Sequence, residues 1–528
     1  MRIVRSSRHA LVLLLALGTG FFAQPSGADA APGQPIAFVP LDDRPVTLQL
    51  PVMLGRVAGQ PLLVPPRATL GHYLTPGDPE AILRWLRSSQ TQGVSAVVAS
   101  TDMIAYGGLV ASRIPGVSAD QADARLRSFA AIKSERPGAF VGAFGTIMRL
   151  APTGVPNLGP ALGYYATGET VDLIQTYANL PDPLQTDEQR QYAARLRERI
   201  GPAILDAYLA TRARNRSVDE YVLQLAAENG FDRVVLGQDD AGPTGLHLRD
   251  VAALQRASAA FFLHERASIE PGADELGMAL LAQALARNVG WAPSVRVVYS
   301  RTGAAAFNDQ LEFVPIDVTI GHLIGLCGAH RVDTEGDVRL YVRVPDTKAA
   351  DEGVFEDGLV ADVAAGRSVA VADLTFLRGK PGPEQRELTE ALIARSIAGK
   401  IDAFASWNTN ANTVGTALAA AIAAGAGRRA GRYDPRAHAE FMLNRYIDDY
   451  AFHQFVRPDL NEELRPRGID TTLLLPDVAT EAGQKNRAEL WRYALDLKER
   501  IYPQYHDRGL TITLPWDRTF ETAIDVRL

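Results

Sequence analysis

Three acid-rich turns, each closing an apolar run, are the first candidates for chemistry in this sequence. Asp42, Asp43 and Arg44 follow the run Ile36 to Val39, Asp102 follows Val94 to Ala99, and Asp239 and Asp240 follow Val234 to Leu236. The runs have the length and β-branched character of buried strands, and ligands in parallel α/β sheets bind at the carboxyl ends of strands. Two carboxyl groups across one pocket can supply the proton donor and the nucleophile or base of glycoside hydrolysis. Asp102, Asp239 and Asp240 are therefore the expected catalytic residues. The same oxygens also suit a divalent cation, and Asp and Pro are ordinary turn formers in their own right. Neighbouring side chains on extended backbone point in opposite directions, so one of Asp42 and Asp43 should face the pocket while the other pairs locally with Arg44. Asp42, Asp43 and Arg44 are expected to bind substrate, together with Tyr106, which precedes the flexible pair Gly107-Gly108.

A second polar stretch runs from Ser406 to Thr416 and contains Trp407, Asn408, Asn410 and Asn412. Its position between a strand and an Ala-rich helix predicts a donor-rich surface made of free helix amides. Asn and Thr read hydroxyl patterns without charge, and an indole stacks on a sugar face, so Trp407, Asn408, Asn410 and Asn412 join the expected substrate-binding set. A structural capping run is the competing explanation. Asp274 is placed as the cap of a helix from Glu275 to Arg287, and Glu270 is a weaker pocket candidate. The segment Pro515 to Glu521 is assigned to packing of the last strand rather than to a pocket wall.

Other chemistries lack their signatures. The nine histidines are dispersed, and His247, His264, His322 and His330 form no H-x-x-x-H or H-E-x-x-H pair, so no metal site is expected. No Walker loop, G-x-G-x-x-G turn or G-x-S-x-G elbow is present, and no cofactor is expected. A net charge of -7 without a long Lys/Arg cluster argues against a nucleic-acid partner. The partner expected is a small molecule or a glycan. The single cysteine, Cys327, lies in an apolar run and is expected to be a buried, inert thiol.

These residues need elements to hold them. Residues 1–30 have a basic start, an apolar stretch and Ala28-Asp29-Ala30, the pattern of a secretory signal peptide cleaved near Ala30, which places the mature chain outside the cytoplasm with no membrane span. Residues 31–300 are expected to form an N-terminal parallel-sheet α/β lobe, either a TIM-like barrel or a doubly wound sheet, interrupted by a helical insertion at 152–232. Its later strands are placed at Phe261 to Leu263 and Val295 to Tyr299. Residues 301–430 form a second α/β lobe, with strands at Phe313 to Ile316 and at Val338 to Val344, the latter alternating as if one face were wet. Its Ala-rich helix, Ala411 to Ala424, is expected to stop at Gly425 and Gly427. Residues 431–528 are mainly helical.

Several motifs together resemble a bacterial family known only as a domain of unknown function, DUF4127. They are Pro40-Leu41-Asp42-Asp43-Arg44-Pro45, Ser100-Thr101-Asp102-Met103 with Tyr106-Gly107-Gly108 and Ser112-Arg113, Gly237-Gln238-Asp239-Asp240, Pro271-Gly272-Ala273-Asp274-Glu275, and Trp407-Asn408-Thr409 with Asn412-Thr413 and Gly415. The similarity extends from about Ile36 to Glu521, with one departure at Ser406, where the family pattern has Gly. The resemblance carries no mechanism. From the residues, the expected activity is that of an exported glycoside hydrolase. The alternatives are a non-catalytic extracytoplasmic sugar-binding protein and a divalent-metal hydrolase.

Overall fold

The computed structural model of the protein describes residues 33–155, 168–376 and 383–528. The expected signal peptide and part of the insertion, 156–167, lie outside the described residues. Six apolar segments form one all-parallel sheet: β1 (Ile36–Val39), β2 (Leu62–Leu63), β3 (Ala96–Ser100), β4 (Phe140–Ile147), β5 (Arg233–Gln238) and β6 (Ala267–Pro271). Their order is β2-β1-β3-β4-β5-β6. The sheet is open, with β2 and β6 at its edges, so the lobe is doubly wound and not a barrel. Helices cover both faces, which is why every residue of β1 and β4 is buried.

The second sheet repeats the plan. It contains β7 (Ser294–Tyr299), β8 (His330–Arg331), β9 (Val338–Arg343), β10 (Ser368–Asp373) and β11 (Ala403–Ala405), all parallel, in the order β11-β10-β9-β7-β8. Counted from its own first strand this is 2-1-3-4-5, the order of the first five strands of the first sheet. An antiparallel hairpin of β12 (Gly509–Thr513) and β13 (Ala523–Arg527) follows the helices of the C-terminal region.

Several elements differ from the sequence reading. β6 lies at Ala267–Pro271, because Phe261 caps the helix His247–Ala260 and Phe262, at a left-handed φ of 56°, turns the chain where the sequence reading places a strand. Phe313 to Pro315 is a loop leading into the helix Ile316–Leu326, so the strand expected at Phe313 to Ile316 does not form. β7 pairs with β8 and β9 rather than with β6, so the lobe boundary falls before residue 294. β9 has no wet face. It is central in its sheet, and its arginines are buried in ion pairs, Arg339 with Asp362 at 3.2 Å and Arg343 with Glu352 at 2.9 Å. The insertion does form the helices Asp187–Ile200 and Pro202–Ala227 with a break at Gly201.

The lobes share a core. The helix Leu276–Asn288, which follows β6, packs along the helix Asn410–Arg429, which follows β11, and one apolar cluster runs through both sheets. Residues 32–528 accordingly form one compact unit.

Candidate functional site

The carboxyl ends of β1, β4, β5 and β6, the loop after β11, residues 311–312 and the C-terminal segment 516–520 surround a cavity of about 500 Å³. Its first wall is built on Arg44. The chain leaves β1, turns through Asp42 and Asp43, and enters a wide helical turn at Pro45–Gln49. Arg44 Nε donates to both Asp42 oxygens at 2.9 Å, and its terminal nitrogens donate to Asp274 at 3.1 and 2.6 Å. Asp274 is therefore an ion-pair partner at the cavity and not the helix cap expected from its position; the helix start beside it has no side-chain cap. Burial raises the pKa of Asp274, and Arg44 opposes that shift.

Neither acid of the opening pair lines the cavity. Asp42 holds Arg44, while Asp43 accepts from Trp516 Nε1 at 2.7 Å and from Arg67 Nε at 3.1 Å, and lies 2.9 Å from His72 Nδ1. Trp516 stacks on Tyr73 with ring centroids 5.1 Å apart, and the Arg518 guanidinium lies 4.6 Å from the Trp516 ring centroid. Tyr73, Trp516, Arg518 and Phe520 all line the cavity. The aromatic wall thus comes from the C-terminal segment that the sequence reading assigned to strand packing.

Asp239 and Asp240 emerge from β5 into the cavity. Asp239 is paired with Arg113. Asp240 is about a third exposed, has a left-handed φ of 22° and lies 3.6 Å from Arg149 Nη1. Burial, reinforced by the charge of Asp239, pushes Asp240 up to about 6. A non-glycine residue held at positive φ beside a cavity is a mark of functional strain.

Asp102 lies outside this lining. Its carboxylate accepts from the Thr146 amide at 2.8 Å, tying the short helix Thr101–Tyr106 to the end of β4, and burial pushes it up to about 6. Tyr106 is buried with the Arg214 guanidinium 4.5 Å from its ring centroid. The Gly107-Gly108 pair approaches backbone, not a ligand: a Cβ on Gly107 would meet the Gly77 backbone at 2.8 Å.

The polar stretch after β11 divides. Asn408, at φ 55°, and Asn412 line the cavity and bond each other at 2.6 Å. Trp407 is buried against Thr416, and Asn410 is fully buried, so neither lines the cavity. The helix amides are not free either. Glu312 accepts from the Ala411 amide at 2.9 Å, and Thr409 Oγ1 accepts from the Asn412 amide at 3.2 Å. Asn412 Nδ2 donates to Glu275 at 2.6 Å, joining the second lobe to the first. Glu275 and Glu312 are both buried, and burial above all pushes each up to about 8. At Ser406, the departure from the family pattern, the side chain fits by donating to the Asp373 carbonyl at 2.8 Å.

Of the residues expected from sequence, Arg44, Asp239, Asp240, Asn408 and Asn412 line one cavity, whereas Asp42, Asp43, Asp102, Tyr106, Trp407 and Asn410 do not. Arg149, Glu312, Trp516 and Arg518 were not among the expected site residues. Among the described residues no three His, Cys, Asp or Glu side chains converge to hold a metal ion, and no helix is long and apolar enough to cross a membrane. Cys327 is buried, which pushes its thiol up.

No curated protein and no solved structure matches the chain. A family model described as a protein of unknown function (DUF4127) matches residues 36–525, and the chain belongs to that family.

Proposed function

We propose that this chain is an exported hydrolase of a carbohydrate, with Asp240 as proton donor and Asp239, held by Arg113, as the second carboxyl in the cavity between the lobes. The observation that carries the reading is the contrast between two adjacent carboxyls in one cavity. Asp239 is held against Arg113, and Asp240 is left without a close hydrogen-bonded cation and is pushed up to about 6. Environments that separate two carboxyls in this way assign acid and base roles. Asn408 and Asn412 supply uncharged hydrogen-bonding groups, and the half-buried Phe520 supplies aromatic surface for a sugar, with the buried Tyr73-Trp516 stack behind it. The glycan substrate and the absence of a nucleic-acid partner belong to the same proposal.

The test is turnover of a panel of aryl glycosides and polysaccharides by the mature chain. Asp240→Asn keeps a residue type that tolerates positive φ, so it should lower kcat by about 10²- to 10⁴-fold with little change in Tm. As Asp240 must be protonated to donate, wild-type turnover should fall as pH rises through about 6. Full activity in Asp240→Asn would reject the assignment. Export is checked separately by N-terminal sequencing of extracytoplasmic protein.

The position of the cavity between two lobes of the same strand order favours a second reading, a sugar-binding protein that clamps its ligand. Under that reading the Asp240 variant changes affinity, and no glycoside yields product.

A further inference from the structure

Four guanidinium groups face the cavity, and three of them have close counter-ions. Arg44 is held by Asp42 and Asp274, Arg113 by Asp239, and Arg518 by Glu521 at 2.8 Å. Arg149 is different. Its Nε donates to the Ala151 carbonyl at 2.8 Å, and its nearest carboxylate, on Asp240, is 3.6 Å from Nη1, beyond hydrogen-bonding distance. The side chain is 27 % exposed and lines the cavity, and its two terminal nitrogens have no hydrogen-bonded partner among the described residues. A guanidinium partly removed from water without a close partner is costly unless a partner arrives. Its pKa is pushed down to about 10 by burial, with Arg113 adding to the shift, Asp239 and Asp240 opposing it, and Arg518 contributing. It remains charged at neutral pH.

We propose that Arg149 is an anion-binding residue, and that the substrate carries an acidic group, a carboxylate or a phosphate or sulfate ester, which docks on its terminal nitrogens. The inference names a substrate class for the site and rests on the cavity being the sugar site proposed above. A guanidinium presents two parallel N–H groups that match both oxygens of such an anion. Arg113 and Arg518 are each neutralised by their own carboxylate, and Asp172, Asp239, Asp240, Asp274, Glu312 and Asp470 also line the cavity, so recognition of an anion there depends on the fork geometry of Arg149 and not on a positive field of the cavity as a whole. A sugar acid or sugar ester would place its ring beside the half-buried Phe520 and against Asn408 and Asn412 while its anionic group reaches Arg149.

The test is calorimetric binding of D-glucuronate, D-galacturonate, glucose 6-phosphate and glucose 6-sulfate to the mature chain, against neutral D-glucose and D-galactose. At least one anionic sugar should bind about tenfold more tightly than its neutral parent. Arg149→Met should abolish that preference, and Arg149→Lys, which keeps the charge but not the fork, should retain part of it. The carboxylate and ester arms identify which anion is read. Equal binding of neutral and anionic sugars, binding of none of them, or an unchanged preference in Arg149→Met would overturn the proposal. The two readings fail separately. Arg149-dependent binding without cleavage of any glycoside removes the hydrolase and keeps the anion site. Cleavage of neutral glycosides with wild-type rates in Arg149→Met does the reverse.

Discussion

Arg44 is the residue on which the first wall of the cavity turns, because two segments separated by 230 positions place Asp42 and Asp274 on the same guanidinium. Breaking a buried ion pair from one side leaves the other charges unpaired, which costs far more than the pair is worth over an apolar replacement. Arg44→Met strands two carboxylates at once and should lower unfolding stability by about 3 to 5 kcal/mol in denaturant titrations. A loss below about 1 kcal/mol would show that water reaches those carboxylates freely. The same residues show what a sequence discloses. Asp42, Asp43, Asp239 and Asp240 are visible because adjacent acids at strand ends are unusual and sit where α/β sheets bind ligands. Their partners are not visible. Arg149, Glu312 and Trp516 are single residues in unrelated segments, and only the folded chain brings them to the cavity. Trp407 misleads for the converse reason: an indole in a polar stretch suggests stacking, but its neighbours Thr413 and Thr416 satisfy it inside the core.

At the scale of elements, the helix Asn410–Arg429 shows how a residue type can carry two meanings. Gly425 and Gly427 look like helix stops, yet the helix runs through both. They are needed for close approach. A Cβ on Gly425 would lie 2.6 Å from the Trp291 ring, and one on Gly427 would lie 2.9 Å from Ala58 Cα and 3.0 Å from the Val57 carbonyl oxygen. Gly→Ala in a helix interior normally gains about 1 kcal/mol, but backbone cannot yield as a flexible side chain can, so overpacking should win at 427. Gly427→Ala should therefore destabilise the protein by about 1 to 3 kcal/mol. Gly483→Ala, in the helix Pro476–Ile501 where nothing lies within 4 Å of the added carbon, should stabilise it by about 0.5 to 1 kcal/mol. Thermal melts of the two variants that moved in the same direction would contradict this account. Strand identity was legible wherever an apolar run was bounded by turn residues, as at β1 and β10. It failed at β6, where the helix His247–Ala260 extends into Phe261, since a short aromatic run fits a helix end as well as a strand.

For the whole molecule, the buried ionisable groups fall into two sets with opposite linkage to pH. Burial pushes Glu270 and Asp449 up to about 7 and Glu275 and Glu312 up to about 8. Each holds a proton in the folded chain that it loses in the unfolded chain above its ordinary carboxylate range, so each makes stability fall as pH rises toward its folded value. Burial also lowers His247, to about 4, and depresses His322, His438 and His453. These remain neutral in the fold while the unfolded chain binds protons, so their contribution rises with pH through about 6.5 and is complete at about 7.5. Below about pH 7.5 the two sets oppose each other. Above that only the carboxyls still act, and stability should fall with rising pH, by at most about 1.4 kcal/mol per pH unit for each proton retained. Glu275 and Glu312 dominate the upper part of that window and sit where the lobes meet, Glu275 on Asn412 and Glu312 on the Ala411 amide. The double variant Glu275→Gln, Glu312→Gln mimics the neutral acids, keeps an oxygen acceptor at both contacts, and should flatten the slope. Urea unfolding at about pH 7.5, 8 and 8.5 measures it. If wild-type stability is level or increases across those points, these carboxyls are ionised in the fold and the lobes are not held together by neutral acids.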